Sequence, residues 1–111
     1  MAVRDFLGEF ELMVLLAVIR TGDGAYGVPI LKELCDTTRR DVSFGSVYAA
    51  LDRLEQKGMV SSSLGDPTPV RGGRAKRYFS ATNKGLRQAR LSREALVSLW
   101  QGIPQLEGGR G

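Results

Sequence analysis

The chain has no histidine and a single cysteine, and these two shortages remove most catalytic and metal chemistry. Without histidine neither a Ser-His nor a Cys-His nucleophile can be assembled. A zinc site would have to be built from carboxylates and one sulfur, which is not the nitrogen and sulfur set that zinc prefers. One thiol makes neither an internal disulfide nor a thiolate cluster. Cys35 stands in the helical run from Ile30 to Cys35 and reads as a buried, inert thiol rather than a redox sensor. The acids form no suggestive pair, so the chain reads as a non-enzyme with no metal and no cofactor. Long apolar runs are also missing. The longest, Leu12–Ile19, has eight residues, against the roughly 20 that a spanning helix needs. Asp5, Glu9 and Glu11 precede it and no basic segment does, unlike a secretory signal. The expected compartment is the cytoplasm.

The last shortage is regional. Between Pro67 and Arg93 there is no acid at all, while eight Lys/Arg stand there. The remaining eight Lys/Arg face all twelve Asp/Glu, so the net charge of +4 conceals a strongly basic segment on a mildly acidic body. Such a distribution belongs to a contact surface for a polyanion rather than to a general solubility device. With 111 residues, 42% hydrophobic and 25% charged, the chain has room for one domain and one modest core.

Within the basic segment, Arg71, Arg74, Lys76 and Arg77 surround the pair Gly72-Gly73. Strand-like runs lie on either side, Met59–Leu64 before and Tyr78–Ala81 after, so the segment reads as the tip of a β-hairpin. A helix is predicted just upstream, from about Phe44 to Lys57, with Ser43 as N-cap and Gly58 as its stop. Val47, Ala50, Leu51 and Leu54 fall on one face of it. Gly45, Ala49, Asp52 and Gln56 lie opposite, flanked by Ser46 and Arg53 on one side and Tyr48 on the other. Small and hydrogen-bonding residues on an outer face let a helix enter a major groove closely. Together the two elements describe a helix-turn-helix with a wing.

Three further helices complete the pattern. The first is predicted from about Glu9 to Thr21, and its all-round apolar stretch Leu12–Ile19 calls for a second burial partner. The second runs from about Tyr26 to Thr37, with Val28, Leu31, Leu34 and Cys35 as its core stripe and Pro29 in its first turn. Val42 is placed to bridge to the wing strands. The last helix is capped by Thr82 and runs from about Asn83 to Gly102. Its apolar positions Leu86, Ala89, Leu96 and Trp100, widened by Leu91, Ala95 and Leu99, either fold back on the domain or pair with another chain, and pairing is favoured. The fold class is thus mainly α with a small β-hairpin. Residues 1–81 form a winged helix-turn-helix, 82–104 a dimerisation helix and 105–111 a disordered tail.

The strings Leu7–Glu11, Ala25-Tyr26-Gly27, Val47–Gly58, Gly72–Tyr78 and Thr82–Gly85 together closely resemble the PadR family of bacterial transcriptional regulators, over about Leu7 to Ile103. The string from Tyr48 to Gly58 and the Gly-Gly-Arg wing are its specific parts. The resemblance implies repression from a palindromic operator by a homodimer, with the last helix of each subunit interleaved with the first helix of the other. Leu12, Leu16, Ile19, Leu86, Leu96, Leu99 and Trp100 would form that interface. Tyr26 would touch phosphate, Ser43, Ser46, Tyr48 and Arg53 would work on or beside the reading helix, and Gly73, Arg74 and Lys76, with Arg71 and Arg77 around them, would form the wing contact. Ala81 replaces the family's usual leucine, and the single short last helix resembles that of the small members. Some of these bind aromatic drugs in a pore between subunits, stacked on a tryptophan. Here Trp100 lies about one turn later than that position and Leu96 nearer to it.

A winged-helix adaptor that binds only protein is the competing class. An adaptor has no reason to clear acids from its wing, so the acid-free segment favours double-stranded DNA as partner. A small aromatic effector is compatible with that choice.

Overall fold

The computed structural model describes residues 7–65 and 76–106, and its elements follow in the order α1 (Glu9–Thr21), α2 (Gly27–Thr38), α3 (Phe44–Gln56), β1 (Val60–Leu64), β2 (Arg77–Ala81) and α4 (Asn83–Trp100). The chain is mainly helical, with one antiparallel hairpin in which Val60 faces Ala81 and Leu64 faces Arg77. This is a winged helix-turn-helix with a fourth helix appended. Among the described residues the sheet has two strands and Val42 makes no bridge to it; the side chain packs instead against the core.

The core forms where α1, α3 and the root of the hairpin meet. Val14, Leu15, Val18, Val47, Ala50, Leu51, Leu54 and Met59 are fully buried, and Ile30, Leu34, Val60 and Phe79 close it. Each large side chain withdrawn from water in this way contributes about 1.5–3 kcal/mol. The stripe of α2 departs from expectation: Val28 is exposed, Cys35 is half-buried, and Ile30 with Leu34 carries the packing. Apolar residues at 28, 30, 31, 34 and 35 span two overlapping faces, and the neighbouring helices choose between them.

Local chemistry ends each element. Ser43 Oγ accepts from the Ser46 N–H at the start of α3. At its end, Gly58 adopts φ 77°, its N–H reaches Glu55 O, and the Met59 N–H reaches Leu54 O. That paired closure turns the chain sharply into β1. The start of α4 is then seated on the same corner. Thr82 Oγ1 accepts from the Gly85 N–H and donates to Gly58 O, and the Thr82 N–H donates to Met59 O. From there α4 packs on α1 and β2. Leu91 at its middle and Leu96, Leu99 and Trp100 in its second half are left exposed.

Candidate nucleic-acid interface

The first two turns of α3, Phe44–Leu51, contain no charge. Their inner residues Val47, Ala50 and Leu51 are spent on the core, so Gly45, Ser46, Tyr48 and Ala49 face solvent. Ser43 and Ser46 also join their hydroxyls, at 3.0 Å, on this surface. The ring of Tyr48 stacks on Phe44 with centroids 6.0 Å apart, and its hydroxyl rests on the backbone of Gly27. A Cβ at Gly27 would lie 2.2 Å from that oxygen, so only glycine lets Tyr48 settle against the start of α2.

Beside this face, Tyr26 sits at the N-cap of α2 and meets Tyr78 of β2 edge to face, with centroids 5.6 Å apart. Lys76 Nζ lies 4.8 Å from the centre of the Tyr26 ring. The Phe79 N–H donates to Ala25 O at 2.7 Å, tying β2 to the residue before Tyr26. The hairpin, Tyr26 and the uncharged face of α3 therefore form one continuous surface. Arg71, Gly73 and Arg74 lie outside the described residues.

Two of the cations read from the sequence as facing DNA are held elsewhere by carboxylates. Arg53 Nε pairs with Glu11 Oε2 at 2.7 Å, and Lys57 Nζ pairs with Glu11 Oε1 at 2.6 Å. Arg77 pairs with Asp52 and Glu55 across the gap between wing and helix. Glu11, Asp52 and Glu55 had no assigned role in the sequence. Glu11 could have been found, since it precedes Val14, Leu15 and Val18 by three, four and seven residues and so shares their buried face. The partners of Arg77 are 22 and 25 residues away and left no local signal.

Burial raises the Glu11 carboxyl, but the hydrogen bonds and charges of Lys57 and Arg53 outweigh it and hold the group below its ordinary value. Glu55 is likewise held low by the hydrogen bond from Ser62 and, against a rise from burial, by Arg77. A depressed folded-state value means that Glu11 stabilises the fold fully above the unfolded carboxylate range, about pH 4.3, and ceases to do so as pH falls through the folded value. Glu11→Gln is expected to cost about 1–2 kcal/mol at pH 7, and melting curves of variant and wild type should converge below pH 4. A gap that stays constant down to pH 3 would assign the loss to packing rather than charge.

The profile of the Transcriptional regulator PadR-like family matches residues 15–91, which takes in most of α1, all of α2 and α3, the hairpin and the first half of α4. The chain belongs to the PadR-like family of transcriptional regulators. A DNA-binding regulator is the function class this membership carries. Solved structures agree in fold. A transcriptional regulator from Clostridium thermocellum superposes with a TM-score of 0.71 at 22% identity, covering 88% of this chain and 90% of that one. A PadR family regulator from Eggerthella lenta gives 0.70 at 23% identity over 92% and 88%. One from Clostridium difficile gives 0.71 at 20% identity over 88% and 97%. No protein of curated function matches the sequence.

In this PadR-like chain the residues assigned by resemblance to a subunit interface divide in two. Leu12, Ile19 and Leu86 are half-buried within the chain, while Leu16, Leu96, Leu99 and Trp100 are exposed. A groove of about 500 Å³ opens between α1 and α4, lined by Leu7, Leu12, Leu91, Leu96 and Trp100 among others. Among the described residues, no helix is long and apolar enough to cross a membrane.

Proposed function

We propose that the protein is a homodimeric repressor that reads a palindromic operator and is released by a small-molecule or other signal. The observation that carries this reading is the uncharged, solvent-facing start of α3, set beside Tyr26 and Lys76. Ser43, Ser46 and Tyr48 would present hydroxyls to base edges, where hydrogen bonds discriminate sequence. Tyr26 and Lys76, with Arg71, Gly73 and Arg74 of the wing, would meet phosphate, which supplies affinity and register.

Pairing is supported by the apolar surface that one chain leaves open. Leu91, Leu96, Leu99 and Trp100 on α4, with Leu16 on α1, are exposed, a pattern typical of an interaction surface. A two-fold arrangement of α4 against the partner's α1 buries both stripes. It also sets two reading helices about 34 Å apart, one turn of duplex. Occupying such a site keeps other proteins off it, which is the simplest route to repression. The groove beside Leu96 and Trp100 would take a planar aromatic molecule, and binding there would move α4 against α1.

Selection from a random duplex library tests the reading. The expected result is an inverted repeat with half-sites about one helical turn apart, bound by two chains, with a dimer at micromolar concentration by sedimentation. Failure to enrich any sequence, or a well-folded monomer, would reject it.

A further inference from the structure

Arg77 joins three elements through one guanidinium. Its Nε donates to Ser62 Oγ on β1 at 3.3 Å, Nη1 pairs with Asp52 Oδ1 on α3 at 3.3 Å, and Nη2 pairs with Glu55 on α3. The plane lies 4.9 Å from the ring centre of Phe79, which is buried in the core. Glu55 closes the circuit by accepting from Ser62 Oγ at 2.7 Å. Asp52 and Glu55 stand three residues apart and so lie on the same side of α3. A fork of fixed N–H directions can serve two carboxylates and a hydroxyl at once, which an ammonium group does less well.

We propose that Arg77 is a positioning residue that braces the wing against the reading helix and makes no phosphate contact. This rests on the DNA-binding reading above. A two-stranded hairpin is marginal by itself. Its inner end is anchored by Val60 and Phe79 and its middle by Tyr78 against Tyr26, but Leu64 near the outer end is 72% exposed. Arg77, paired in register with Leu64, is the outermost side chain of β2 and bridges back to α3. With the brace in place, α3 and the two strands of the hairpin reach the duplex as one rigid body. Without it the wing binds as a loosely tethered second site, at a lower effective concentration.

Affinity and salt slope on the selected duplex separate a brace from a phosphate contact, using the full-length chain. Removing the anion Glu55 by Glu55→Gln should tighten binding if Arg77 is thereby freed for phosphate. The brace requires the opposite, a loss of about threefold to tenfold. Arg77→Ala should weaken binding with an unchanged salt slope, and Arg77→Lys should fail to rescue it. A slope reduced by about one per subunit in Arg77→Ala, rescue by lysine, or tighter binding by Glu55→Gln would overturn the proposal. If Arg77→Ala is unfolded at the assay temperature, Glu55→Gln decides alone, since its shape is retained. A wild-type chain that binds no duplex at all rejects the DNA-binding reading, and the brace with it.

Discussion

Raising salt from about 50 to about 200 mM should weaken duplex binding by roughly 250- to 1,000-fold. Each protein–phosphate contact releases condensed counterions, so log K falls against log salt in proportion to the number of contacts. Arg53, Lys57 and Arg77 are occupied by carboxylates within the chain. On the proposed reading the phosphate contacts would fall to Lys76 and to the acid-free stretch after Asp66, and two to three per subunit would correspond to a slope of about −4 to −5 for a dimer. Fluorescence anisotropy over a salt series measures it, and a slope near zero, or no binding at low salt, would sink the repressor reading. Variants divide the surface further. Arg74→Ala should weaken all duplexes alike, because a wing cation meets backbone. Ser46→Ala should cost about 1–3 kcal/mol more on the selected site than on random DNA, as the loss of a base contact does. Ser43→Ala is a poorer probe, because the hydroxyl also caps α3 and its removal costs about 1 kcal/mol of stability.

Gly85→Ala is expected to be the most damaging single methyl in the chain. A Cβ there would lie 2.1 Å from Met59 O and 3.0 Å from Met59 C, both backbone atoms at the corner between α3 and β1. Neither can rotate away, so α4 must lift off that corner, and the Thr82 contacts with Gly58 and Met59 go with it. The cost should approach 3 kcal/mol, a fall in melting temperature of roughly 10–20 °C for a domain of this size. Gly45→Ala is the matched control. Its Cβ would meet nothing nearer than Ser43 Oγ at 4.0 Å, and alanine in a helix is better than glycine by about 0.5–1 kcal/mol. Thermal unfolding of both variants settles the matter: a Gly85→Ala chain as stable as wild type would mean that α4 is not seated on Met59.

The elements whose signals are local could be read from the residues alone. Ser43 and Gly58 mark the ends of α3, Thr82 marks the start of α4, and the spacing of Val47, Ala50, Leu51 and Leu54 selects the buried face, because caps and periodicity act within a turn or two of chain. The same locality explains the error in α2. Val28 and Cys35 are as apolar as Ile30 and Leu34, and only the position of α1 and α3 decides which pair is covered. The charges depended on tertiary structure altogether. In the sequence, Arg53 and Arg77 are two cations near the expected contact surface, with no visible partner. In the fold, Glu11 comes within 2.7 Å of the first, and Asp52 and Glu55 converge on the second, from 42, 25 and 22 residues away. Which cations are left for a polyanion is therefore a property of three-dimensional neighbours. A charge is visible in a sequence, but its counter-ion is chosen by the packing that brings distant segments together.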